Sequence, residues 1–217
     1  MSKMTTRADH DGVFIVLEGI DGAGTTTQAK ELASWFEARG RDVFTTREPS
    51  DGPIGQVLRE MLRGSGRKRS LSGESEPADP TTLALLFAAD RLDHLSHEIL
   101  PHLEADHVVI CDRYVLSSLA YQSVEVDLGF VKEINKRALT PDVTIFLDVE
   151  AEVAMARVVK RSEGRDSFEN LPFQQKVAAN YRELLKSYHD GRVVVVDGGA
   201  SMEEVTETVR EALEGLL

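Results

Sequence analysis

Residues 19–28 read Gly-Ile-Asp-Gly-Ala-Gly-Thr-Thr-Thr-Gln, three spaced glycines followed by three hydroxyls. Gly19, Gly22 and Gly24 let successive backbone NH groups curl around phosphate oxygens, and a following helix would present its positive N-terminus. The full pattern G-x-x-x-x-G-K-[ST] adds a lysine that reaches the outer phosphates and a hydroxyl that ligates magnesium. Thr26 keeps the hydroxyl, whereas Thr25 stands where the lysine would be. Downstream, an apolar run delivers Asp112-Arg113-Tyr114. An aspartate at such a strand end can hold magnesium or its waters beside Thr26, and Arg113 can fork onto two phosphate oxygens. The plainer reading, an Asp-Arg pair that fixes a loop, is weakened by the glycine loop upstream.

Elements must carry these groups to one place. The apolar run 13–17 precedes the loop, and Ala29, Leu32, Ala33 and Phe36 recur after it at helical spacing until Gly40. Strand, loop and helix therefore follow in the order a phosphate loop requires. Further short apolar runs at 42–46, 107–111, 143–147 and 192–196 bring the expected strands to five. Helical patterns at 81–100, 128–139, 151–159, 171–188 and 202–216 separate them. Alternation of this kind implies an α/β fold of three layers: a five-stranded parallel sheet flanked by helices, with the ligand crevice at the strands' carboxyl ends. Segment 64–80 is rich in turn-formers and charge with almost nothing to bury, and is expected to form a mobile insertion in a single domain spanning 1–217.

Composition excludes several classes. Lys+Arg number 25 against Asp+Glu 37, a net charge of -12 that argues against a general nucleic-acid surface. No apolar stretch approaches the roughly 20 residues of a membrane span, and the polar start lacks a signal peptide's apolar region. Cys111 is the single cysteine, which suits a reducing compartment, so a soluble cytoplasmic protein is expected.

Four blocks resemble the thymidylate kinases, P-loop kinases that phosphorylate dTMP with ATP. They are Glu-Gly-Ile-Asp-Gly-Ala-Gly at 18–24, Thr-Arg-Glu-Pro at 46–49, Leu-Phe-Ala-Ala-Asp-Arg at 86–91, and Asp112-Arg113-Tyr114 running on to Tyr121-Gln122. The resemblance implies ATP on Gly19, Ile20, Asp21, Gly22, Ala23, Gly24, Thr25, Thr26 and Thr27, with Mg²⁺ at Thr26 and Asp112. It implies that Phe87 stacks on thymine, that Arg91 donates to a base carbonyl, and that Ser118 and Gln122 read the remaining pyrimidine edge. Tyr121 would exclude a ribose 2′-hydroxyl, Asp21 would lie near the sugar and the transferred phosphate, and Arg113 would hold the dTMP phosphate. Glu48 and Arg59 would line the same acceptor pocket. Ser50-Asp51 replaces the family's glycine pair. The resemblance also implies a homodimer.

Segment 157–168 is basic, contains glycine and matches the family's lid, placed at about 150–170. In the branch with glycine at the Gly22 position, lid arginines supply catalytic charge, which makes Arg157, Arg161 and Arg165 the candidates to stand in for the lysine. Two alternatives stay open: a weakly active or noncatalytic nucleotide-binding relic, and a kinase for another nucleoside monophosphate.

Overall fold

The computed structural model describes residues 11–63, 78–161, 171–188 and 191–214. Five strands form one parallel sheet: β1 Val13–Glu18, β2 Val43–Arg47, β3 Val108–Asp112, β4 Val143–Asp148 and β5 Arg192–Asp197, in the order β2-β3-β1-β4-β5. Every expected strand is present, shifted by at most one residue at either end. β1 lies at the centre because both its faces are apolar. Ile15 and Leu17 enter the core on one side of the sheet, and Phe14 and Val16 enter the core on the other.

Helices cover both faces: α1 Thr25–Glu37, α2 Pro53–Leu62, α3 Pro80–His94, α4 Leu100–Glu104, α5 Val115–Tyr121, α6 Leu128–Asn135, α7 Ala151–Arg161, α8 Leu171–Leu185 and α9 Met202–Leu213. The single helix expected over 81–100 is instead α3 and α4 joined by a π-helical stretch, Leu95–Ile99. Pro101, near the start of α4, has no NH to return to the preceding turn, and the widened stretch falls where that bond is lost. α6 stops at Asn135 rather than continuing to 139, since the apolar period continues through Leu139 after the helix has ended. α8 also ends a few residues early, and positions 215–216 of the last expected helix lie outside the described residues.

Asp79 caps α3 through the Thr82 amide, while the rest of the expected insertion, 64–77, lies outside the described residues. Parallel register sets Leu17 beside Asp112, so the loop after β1 and the turn after β3 open at the same edge. Among the described residues no helix is long and apolar enough to cross a membrane.

Candidate active site

The loop after β1 is shaped by two backbone requirements. Gly24 caps α1 with φ 107°, and Gly22 adopts φ 89°, both left-handed values that disfavour any side chain. At Gly22 a Cβ would also lie 2.2 Å from the Ala154 carbonyl of α7. Glycine is therefore needed here for α7 to pack onto the loop. Thr25 opens α1 nearly buried, and Thr25, Thr26, Thr27, Gly22 and Gly24 line a pocket of about 270 Å³ with Asp21, Asp112 and Arg113. Ile20 points elsewhere: its side chain is buried in the core.

The Thr26 hydroxyl bonds Oδ2 of Asp112, while Oδ1 of Asp112 is buried with no partner among the described residues. A hydroxyl beside an orphaned carboxylate oxygen in a phosphate-sized pocket fits a small oxygen-seeking cation such as Mg²⁺. No cluster of three or more acidic, His or Cys ligands occurs among the described residues.

Arg113 follows Asp112 with φ 73°, unusual for a long side chain, and its backbone NH is fixed to the Leu17 carbonyl at 2.8 Å. The turn aims the guanidinium back at the loop, where it meets Asp21 at 2.7 Å and lies over the Tyr121 ring at 4.9 Å. The Tyr121 hydroxyl adds a 3.1 Å bond to Asp21. Burial pushes the Tyr121 phenol well above its ordinary value, so the hydroxyl keeps its proton.

A cavity of about 490 Å³ opens beside this cluster, lined by Asp21, Glu48, Phe87, Arg91, Arg113, Ser118, Tyr121 and Gln122 among others. The structure thus brings together every expected acceptor residue except Arg59. That guanidinium turns to the Pro49 and Ser50 carbonyls and to Asp51, supporting the loop after β2 from behind. Gln122 reaches the cavity from a 3-10 turn just beyond α5 rather than from the helix face of Ser118.

Arg91 is almost fully buried in the wall. It gives Nη2 to Glu48 at 2.6 Å and to the Tyr114 carbonyl and Ser118 hydroxyl at 3.0 Å each, and gives Nη1 to Asn135. Ser50 fills its departure from the family pattern by bonding Asp90 of α3 twice, through NH at 2.8 Å and hydroxyl at 2.6 Å.

Sequence reasoning missed Glu18 as an organising residue. Fully buried at the end of β1, it accepts the NH groups of Tyr114 and Ser117 at 3.0 and 3.1 Å, together with the Ser117 and Tyr181 hydroxyls. Two of those donors are orphan amides at the start of α5, so Glu18 sets the helix that carries Ser118 and Tyr121. Burial pushes its carboxyl upward, while the bonds from Ser117 and Tyr181 pull it back. A glutamate closing a wholly apolar strand was the available signal.

A third cavity, about 440 Å³, lies beyond the loop and is lined by Gly22, Ala23, Gly24, Thr27, Arg157 and Met202 among others. Arg157 gives Nη1 to the Gly198 carbonyl at 2.8 Å. Arg161 closes α7, and Arg165 lies outside the described residues, as does the rest of the expected lid after 161.

A family model described as thymidylate kinase matches residues 17–209. A probable thymidylate kinase of Pyrococcus abyssi is 44% identical over 201 residues, covering 91% of this chain and 94% of that protein. One from Methanocaldococcus jannaschii is 43% identical over 196 residues, covering 90% and 92%. A thymidylate kinase of Bacillus cereus is 36% identical over 214 residues, covering 95% and 99%.

Proposed function

The chain belongs to the thymidylate kinase family, and from that membership we propose how the three cavities around the glycine loop carry out the family's reaction. The enzyme transfers the γ-phosphate of ATP to dTMP, giving dTDP and ADP. One observation supports the division of labour: the cavities are chained by shared walls. Asp21 and Arg113 belong to both the acceptor cavity and the phosphate pocket, while Gly22, Gly24 and Thr27 belong to both that pocket and the third cavity. Two nucleotides entering from opposite ends would meet phosphate to phosphate at Asp21 and Arg113.

In this reading thymine stacks on Phe87, and Arg91, Ser118 and Gln122 present donors and acceptors to its edge. Glu48 holds Arg91 in place through their buried ion pair. Tyr121, pinned by Asp21, crowds the sugar and favours deoxyribose. Arg113 binds the acceptor phosphate, and Asp21 restrains the Arg113 guanidinium against it.

The loop's amides cradle the ATP phosphates at the start of α1. Thr26 and Asp112 would hold Mg²⁺, which when bound neutralises charge on the phosphate oxygens. Charge that a loop lysine would bring falls to the α7 side, where Arg157 lines the ATP cavity and Arg161 and Arg165 follow. ATP adenine would lie between that side and Met202.

Exposed Leu85 and Leu92, two turns apart on α3, support a homodimer through that face. The single cysteine suits the cytoplasm.

One assay tests the reading: purified protein with ATP, magnesium and dTMP, with dUMP, dCMP, dGMP and UMP as competing acceptors. Formation of dTDP well ahead of every other diphosphate is expected. Absence of dTDP at saturating ligands would sink it.

A further inference from the structure

Asp21 sits where the acceptor and phosphate sites meet, with its side chain half exposed, and it is nevertheless held from several sides. Its Oδ1 takes Arg113 at 2.7 Å and Tyr121 at 3.1 Å. Its Oδ2 takes Nε2 of Gln174 at 2.9 Å, and its backbone NH lies 3.3 Å from Oε1 of the same amide. Gln174 is only 2% exposed and stands in the first turns of α8, the helix that re-enters after the expected lid. Tyr121 approaches the same Oε1 at 3.5 Å.

A long polar side chain is seldom buried so completely unless both ends of its amide are used. Here both are used on one residue. An amide offers a donor to a carboxylate and an acceptor to an NH from a single head group, which neither a carboxylate nor an apolar side chain can do. Resting on the reading above, we propose that Gln174 is a positioning residue: it fixes the Asp21 carboxylate against Arg113 and ties its alignment to α8. Arg113 and Tyr121 reach Asp21 from the β3–α5 side, and Gln174 reaches it from α8. The carboxylate is clamped between two separate parts of the fold.

Gln174→Glu separates this role from a merely structural one. An ionised glutamate keeps the acceptor but loses the donor and sets a like charge beside Oδ2, whereas a protonated one restores a donor. The expected kcat is about 10- to 100-fold below wild type near pH 8.5, recovering toward wild type near pH 6, with the KM for ATP changed less than about twofold. Gln174→Leu should lose comparable kcat without recovery at the lower pH. A Glu variant that tracks wild type throughout, or that loses activity equally at every pH, would overturn the proposal.

A second readout needs no turnover, so it separates this proposal from the kinase reading itself. In amide hydrogen exchange, Gln174→Leu should speed exchange of the Asp21 NH by about tenfold or more, because that NH loses its acceptor. An unchanged exchange rate overturns the proposal whatever the kinetics show.

Discussion

The two nucleotide sites proposed for this kinase are built in opposite ways. The acceptor cavity is walled in part by side chains tied to one another and to residues behind them: Arg91 joins Glu48, Ser118 and Asn135, and behind the wall Asp90 joins Ser50 and His94 lies between Thr46 and Glu48. The donor side is a ribbon of glycines, small residues and helix termini, with Met202 half exposed at its rim. Thymine must be told from other bases, and that takes fixed side-chain donors and acceptors. A triphosphate needs only charge complementarity, which backbone amides and mobile cations can supply. Thr25, in place of the lysine, falls on the side that relies least on side chains.

The comparison is most exposed to failure at Arg91. Arg91→Ala takes from Glu48, only 3% exposed, its guanidinium partner and leaves it with the 3.5 Å contact to His94, and the expected cost is about 3–5 kcal/mol. At about 2–4 °C per kcal/mol for a chain this size, the melting temperature should fall by about 10 °C. Met202→Ala on the donor rim should cost no more than about 0.5 kcal/mol. Equal losses from the two in thermal denaturation would erase the contrast.

A smaller effect sharpens it. Glu18→Gln turns one acceptor oxygen into a donor among four donors, leaving at least one buried group unpaired at a cost of about 1–3 kcal/mol. Because Glu18 holds the start of α5, the KM for dTMP should rise while the KM for ATP stays put. Steady-state kinetics with each substrate varied in turn would show the opposite pattern if Glu18 served the donor loop instead.

Glycines, apolar strands and the Asp112-Arg113 turn were legible because each is a local pattern, and local patterns suffice to order the sheet and bring the loop and turn to one edge. Contacts that span the chain were not. Asn135 meets Arg91 across 44 positions, Glu18 meets Ser117 across 99, and Gln174 meets Asp21 across 153. No spacing rule links such pairs, since the fold alone brings them together. Arg59 is the converse case: resemblance expects it in the acceptor pocket, and in this structure its guanidinium instead reaches the Pro49 and Ser50 carbonyls, just beyond Glu48 of the cavity wall. Leu139 misled the reading of α6 for a related reason, as a residue can be buried at helical spacing after its helix has ended.

The smallest expected effect is the one that bears most directly on the missing lysine. Thr25 is the first residue of α1 and lines the phosphate pocket, so Thr25→Lys would place an ammonium at a positive helix end beside Arg113. Without ATP that should cost about 0.3–1 kcal/mol, a fall of roughly 1–4 °C in melting temperature. With ATP the sign should reverse, because the phosphates supply the partner and the ligand-induced thermal shift should exceed that of wild type. Turnover should rise by less than about tenfold, equivalent to about 1.4 kcal/mol, if cations on the α7 side already supply most of the charge. A far larger gain would mean that those cations do not replace the lysine and that the donor site is impaired. An unaltered ATP shift would mean that charge at this position is irrelevant to phosphate binding, and the contrast between a side-chain-built acceptor site and a backbone-built donor site would then hold in its strongest form.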